Sequence, residues 1–291
     1  MSGEKKRDVD AFTGIETTGH EWDGIKELNK PLPRWWIWTF YATIVWAIGY
    51  WIVYPAWPTL DGYTKGIWNY SQRAVVAAEG QAARAAQATF RNQLEKTPLA
   101  EVRRNPELLR FSMASGNAAF QTNCAPCHGR GGQGFVGYPN LADDDWLWGG
   151  SIDDIHKSIL YGIRSDHKQT RDSQMPRYGV EKLLSDAQIN DVADFVMDLA
   201  KGTVKPGDTS AGGKIYQEQC ASCHGPAGKG MAEQGAPNLT DPIWLYGSTR
   251  EAIIESIRTG RGGKMPWWVD RLDPVTLKSL AVYVHSLGGG K

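Results

Sequence analysis

The chain has 291 residues, room for two domains of ordinary size, and its hydrophobic fraction of 41% is normal for a globular protein. Lys and Arg number 32 and Asp and Glu 32, so the formal charge is zero and no broad polybasic surface for nucleic acid is implied. All 4 cysteines fall in two short motifs, which leaves none for a structural disulfide.

Residues 1–34 hold six basic and seven acidic side chains with no long apolar run and no small-residue cleavage pattern, which excludes a secretory signal peptide. From Trp35 to Leu60 the chain then runs 26 residues without a charge. Twenty helical residues reach roughly 30 Å, enough to cross the hydrocarbon core of a bilayer. Seven of the 13 tryptophans lie in the first 57 residues, and Trp35, Trp36 and Trp38 at one end with Trp51, Tyr54 and Trp57 at the other form the belts expected at two headgroup levels. A transmembrane helix is therefore predicted over 35–57; core helices, the alternative, rarely run so long without a charge. Lys26, Lys30 and Arg34 before the span and Lys65 and Arg73 after it leave only a slight positive-inside bias.

Residues 58–110 read as a helical linker. Within them 71–94 is alanine-rich and free of proline, which favours helix despite Gly80. Its small side chains suit close approach to another helix, or else it is a solvated spacer. Pro98 and Pro106 interrupt the remainder of the linker.

The rest of the chain repeats itself. Cys124-Ala125-Pro126-Cys127-His128 recurs as Cys220-Ala221-Ser222-Cys223-His224. Four residues before each first cysteine stands an aromatic (Phe120, Tyr216), and four before that a glycine (Gly116, Gly212), on one face of a short helix. After each motif come Pro139-Asn140-Leu141 or Pro237-Asn238-Leu239, then Trp146 or Trp244, an apolar stretch to Gly162 or Gly260, and Met175-Pro176 or Met265-Pro266. An amphipathic helix closes each unit. Ser185 with Gln188 caps the first, with Ile189, Val192, Phe195, Val196 and Leu199 inward. Asp273 followed by Pro274 caps the second, with Leu277, Leu280, Tyr283, Val284 and Leu287 inward. The two apolar sets match at a constant offset of 88, and residues 201–210 read as the linker between domains at 111–200 and 208–288.

Two thiols three residues apart with a histidine after the second can bond covalently to the two vinyl groups of one haem while the imidazole ligates its iron. A lone motif also suits half a zinc site or a redox dithiol. Zinc, however, needs ligands converging from both motifs, and a thioredoxin-like dithiol needs a βαβ pattern that is missing here. Neither explains a Met-Pro 47 residues after His128 and 41 after His224. A thioether on the far side of the iron does, completing six-coordination and raising the potential. Two covalently bound haem c groups are thus expected, held by Cys124, Cys127, Cys220 and Cys223, with His128, His224, Met175 and Met265 as axial ligands. Spacing leaves open whether each methionine serves its own repeat or its neighbour's. His167 is a candidate to replace Met175. His156, His285, Met113, Met197 and Met231 fit packing or surface roles, and His20 precedes the span. A saturated iron has no open position for substrate, and no catalytic residue stands out. Because c-type haem is attached outside the cytoplasm, the N-terminus is expected in the cytoplasm and the haem domains in the periplasm.

The glycine and aromatic before each motif, the Pro-Asn-Leu, the Met-Pro and the closing helix resemble the small class I cytochrome c fold, twice over. The fold class expected is all-α: one N-terminal transmembrane helix followed by two tandem class I cytochrome c domains. By analogy with small c-type cytochromes, the carbonyl of Pro139 or Pro237 accepts the outer ring N–H of the proximal histidine. Trp146, Trp148, Trp244 and Arg164, Arg258 or Arg261 are candidates to meet haem propionates, or else serve packing and surface charge. The stretch HEWDGIKELNKPLPRWWIWTF, residues 20–40, resembles the dihaem subunit of cbb3-type cytochrome c oxidases, some members of which have two spans. That resemblance implies subunit III of a terminal oxidase of the bacterial inner membrane. It would relay electrons from a donor cytochrome c towards the monohaem and catalytic subunits, for oxygen reduction coupled to proton pumping. The alternatives are a free-standing membrane-anchored dihaem carrier and a dihaem peroxidase, the latter needing one displaceable ligand.

Overall fold

The computed structural model describes residues 8–288 and divides into two compact units, Met1–Ala85 and Ala86–Lys291. Most of it is helical.

In the first unit a hairpin, β1 (Thr17–Trp22) and β2 (Ile25–Leu28), precedes helix α1 (Arg34–Val53). Its turn passes through Asp23 and Gly24, both at positive φ. Helix α1 is long and apolar enough to cross a membrane, with none of its residues buried within the unit. It stops short of the expected 57, at the approach to Pro55 and Pro58. The chain then turns through β3 (Pro58–Thr59) and β4 (Gly62–Tyr63) and folds back on the helix end. There the Ile67 and Trp68 amides donate to the carbonyls of Ile52 and Val53, which have no partner inside the helix. Gly66, at φ +71°, sits so close to the Val53 carbonyl that a side chain would collide with it. Trp57 meets Trp51 edge-on at 4.7 Å, so it reaches the helix surface from outside the helix. The alanine-rich stretch forms α2 (Gln72–Ala86) and α3 (Ala88–Lys96), broken at Gln87.

In the second unit α3 and α4 (Leu99–Val102) bury Leu94, Leu99 and Val102 in a core, so this end of the expected linker is part of the globular body. They are followed by α5 (Pro106–Asn123) and α6 (Ala125–His128), then α7 (Ile152–Tyr161) and α8 (Asp186–Ala200). The second repeat supplies α9 (Ala211–Gln219), α10 (Ala221–His224), α11 (Arg250–Thr259) and α12 (Pro274–Leu287). Both closing helices begin where expected. Ser185 and Gln188 form a full capping box, and Asp273 accepts from the amides of Val275 and Thr276 behind Pro274.

The two closing helices are exchanged. One core joins α3, α4, α5 and α7 to α12 of the other repeat. The second joins α8 of the first repeat to α9 and α11. In the first, Gly116 lies against Ser279 and Tyr283, and Phe120 meets the Tyr283 ring at 5.3 Å. In the second, Gly212 lies against Asp191 and Phe195, and Tyr216 meets Phe195 at 5.3 Å. The glycine and aromatic of each opening helix thus receive the closing helix of the opposite repeat. The short connection of residues 201–210 favours this, because α8 packs on the helix that comes directly after it. Arg91 pairs with Asp273 at 2.6 Å, and Lys278 donates to the carbonyls of Leu94, Glu95 and Thr97 at the end of α3, so α12 is tied to the start of the unit.

A Cβ at Gly116 would run into the Ser279 carbonyl, a backbone atom that cannot rotate away. Gly116→Ala is therefore expected to destabilise the folded protein by about 2–3 kcal/mol. Denaturant unfolding checks this, and an unchanged midpoint would mean that α5 and α12 do not cross here.

Candidate functional site

Each Cys-x-x-Cys-His forms one helical turn, α6 or α10, directly after its opening helix, ending at a glycine with φ near +78°. The chain leaves that turn in a direction a side chain resists, and loops back so that a proline carbonyl reaches the histidine. His128 Nδ1 lies 3.0 Å from the Pro139 oxygen, and His224 Nδ1 lies 2.9 Å from that of Pro237. With Nδ1 held as donor, Nε2 is left as the lone-pair nitrogen of a neutral ring. Burial pulls both histidines below the usual range, and the proline carbonyls oppose it only in part. Neutral imidazole is the form that binds iron.

The four cysteines are free thiols. Burial, with a smaller contribution from the neighbouring thiol, pushes Cys124 up to about 11 and Cys220 up to about 12. Among the described residues no group of three or more His, Cys, Asp or Glu side chains comes together as a metal site.

Both motifs open on one cavity of about 900 Å³ with a mostly apolar wall, lined by His128, His224, Met175 and Met265 together with Pro139 and Pro237. Met265 and Cys124 pack against one core, and Met175 and Cys220 against the other. The exchange of closing helices therefore carries the methionines with it. Ile163 and Met265 exchange backbone hydrogen bonds of 3.1 and 2.9 Å, and the Gly179 and Val180 amides donate to the Arg258 carbonyl. Gly162 faces the Met265 carbonyl and Gly260 the Met175 carbonyl, each too close for a side chain. Neutral histidines with Nε2 free, paired free thiols and thioethers on a shared apolar cavity fit two haem c groups.

Other expected residues divide. Trp148, Trp244, Arg164 and Arg261 line the cavity, whereas Trp146 and Arg258 do not. Among the described residues Trp146 Nε1 and Arg258 Nε are buried without a hydrogen-bond partner, although Arg258 pairs with Asp186 through its other end. His167 lies off the cavity wall, stacked on Tyr161 at 4.9 Å with Nδ1 accepting from the Gln169 amide, so nothing presents it as a replacement for Met175. His156 sits on α7, His285 is buried in α12, and His20 is exposed on β1. Met113 and Met197 pack on the two cores and Met231 is exposed.

Several cavity residues carry no sequence signal of their own. Tyr246 stands where the first repeat has Trp148, and the two are related across the cavity: Trp148 abuts Gly235 of the second repeat, and Tyr246 abuts Gly137 of the first. Aligning the repeats on Pro-Asn-Leu would have found the pair. Asp145 is pushed up to about 6 by burial and then by Asp241 and Asp143, which approach from both repeats. Tyr178 ties the Met175 loop to the second motif, its hydroxyl donating to the Gln219 carbonyl at 2.6 Å.

Three family models match the chain. The N-terminal domain of cytochrome oxidase-cbb3, FixP, matches residues 14–61, cytochrome c matches 113–200, and cytochrome c oxidase, cbb3-type, subunit III matches 207–284. Among curated proteins, the cbb3-type cytochrome c oxidase subunit FixP of Bradyrhizobium sp. (strain ORS 278) is 53% identical over 285 residues, 98% of each chain. The subunit CcoP of Cereibacter sphaeroides is 49% identical over 276 residues, 94% of this chain and 95% of that one. The CcoP of Azospirillum brasilense is 45% identical over 293 residues, 98% of this chain and 99% of that one.

Proposed function

The chain belongs to the family of cbb3-type cytochrome c oxidase subunits FixP and CcoP, and from that premise we propose that it is the dihaem electron-transfer subunit of such an oxidase. It takes electrons from a donor cytochrome c and passes them towards the monohaem and catalytic subunits, where oxygen is reduced and protons are pumped. The observation that carries this reading is the pair of motifs on one cavity, each with its histidine oriented by a proline carbonyl, and two methionines on the same cavity wall.

Bound covalently at Cys124 and Cys127 and at Cys220 and Cys223, two haem c groups supply one-electron carriers. The chain's own residues do the rest. His128 and His224 would hold the iron through Nε2. The core packing supports Met265 as the distal ligand opposite His128 and Met175 opposite His224. Held by a histidine and a methionine each, the irons would offer oxygen no open position, and the chain would act as a carrier for the catalytic subunit. Helix α1 is read as a single span of the bacterial inner membrane, N-terminus cytoplasmic and haem unit periplasmic. Its aromatic side chains, exposed all round the helix, are available to the other subunits of the complex.

Purification from membranes in mild detergent tests this. The chain is expected to come out with two thioether-linked haems of its own and with a partner carrying b-type haem and copper. A chain that emerges alone, in full yield and with both haems, would be a free-standing carrier instead.

A further inference from the structure

Arg164 is one of the few non-glycine residues at positive φ, +50°, a conformation that persists only where surrounding contacts enforce it. Its guanidinium lies on the shared cavity. Nε donates to the Ser173 carbonyl at 2.7 Å, and Nη1 donates to the Gly263 carbonyl at 3.0 Å. Ser173 stands two residues before Met175, and Gly263 two residues before Met265. One side chain therefore grips the corresponding point of both methionine loops, which come from different repeats and pack on different cores.

The duplication makes this asymmetric. Counting from Gly162 and Gly260, the second repeat has Gly262 where the first has Arg164. A Cβ at Gly262 would lie 3.1 Å from Arg164 Nε, so the glycine leaves the space that the single guanidinium fills. Burial lowers the pKa of Arg164 and outweighs Tyr246 and Asp172, which act in the other direction, and Trp148 lies beside it at 6.0 Å. What orders the side chain is the pair of carbonyls, read by two N–H groups in the fixed geometry of a guanidinium.

We infer that Arg164 is a positioning residue common to both haem sites, setting the two distal methionines through their backbone and coupling the ligation of one to that of the other. This rests on Met175 and Met265 being the distal ligands. The grip is specific to arginine, since a lysine ammonium lacks the planar fork.

The test uses the full-length chain with both haems attached, comparing R164Q, R164K and G262A with M175A and M265A. Two readouts are taken: the strongly shifted methionine proton signals of the reduced protein, one set for each haem, and imidazole binding to each oxidised haem, which requires the distal ligand to leave. The two methionine variants assign the signals. R164Q is expected to weaken both sets together and to raise imidazole affinity at both haems by about tenfold, as losing one charge-assisted hydrogen bond per loop implies. R164K, which keeps the charge, is expected to rescue little, and G262A to shift both haems in the same direction by less. Should R164Q not accumulate with two haems, R164K and G262A carry the same comparison. A change confined to one haem, full rescue by lysine, or affinities within twofold of the parent while M175A and M265A respond, overturns the inference. If M175A and M265A change neither readout, the ligand assignment itself fails.

Discussion

A chain stopped after Gly202 is expected not to form a folded first haem site, although it keeps the whole first sequence repeat, including Met175 and its closing helix. What it loses is α12, which packs on α5 and α7. Leu277, Leu280, Ala281, Val282 and Val284 on that helix are all at most 5% exposed, and so are their partners Leu108, Phe120, Ile155 and Ile159. Each large apolar side chain returned to water costs about 1.5–3 kcal/mol. Several together exceed the whole stability of an ordinary domain, about 5–15 kcal/mol. The left-over α8 is a poor substitute, because at the offset of 88 it has Asn190 where α12 has Lys278 and Ser185 where α12 has Asp273, and so lacks the groups that tie α12 to the end of α3 and to Arg91. Protease resistance and thermal unfolding of the fragment, alone and after adding residues 203–291 as a separate chain, give the measurement. The pair is expected to regain the cooperative transition that neither shows alone. A fragment that melts cooperatively with a methionine-ligated haem would show that each repeat closes on itself.

The second large effect concerns which haem each methionine serves. In a protein whose second motif is disabled by Cys220→Ser and Cys223→Ser, one haem remains, at Cys124, Cys127 and His128. Met265→Ala is expected to remove its methionine signature and to lower its potential by on the order of 100 mV, well inside the roughly 0.8 V that axial ligands command. Met175→Ala, although it lies nearer in the chain, is expected to leave that haem almost untouched. The mirror experiment, with the first motif disabled, should reverse the two results. If Met175→Ala instead abolishes the signature at the first motif, the methionines are not exchanged.

Much of this molecule can be read without coordinates because its signals are local. Ser185 with Gln188 and Asp273 with Pro274 start helices through groups at most three residues apart, and both do. The proline carbonyls reach the histidines over 11 and 13 residues, with positive-φ glycines turning the chain between. The apolar run of α1 is legible as length and composition. Less visible were the hairpin at Thr17–Leu28, whose strands are almost wholly exposed and so lack the alternation that a half-buried strand shows, and the stop of α1 before Trp57.

The two motifs, the repeat that contains them and the inward face of each helix that closes a repeat are all legible in the order of the amino acids. Which core each closing helix joins, and on which core each methionine packs, emerges only from the packing of the folded chain. The reason lies in the duplication: Ile189 to Leu199 and Leu277 to Leu287 present the same spacing of apolar groups, so either helix suits either opening helix. Periodicity specifies the face a helix buries. The choice between two matching partners is made by how short the connection is and by what lies across the interface, as with Lys278 at the end of α3 and Asp273 against Arg91.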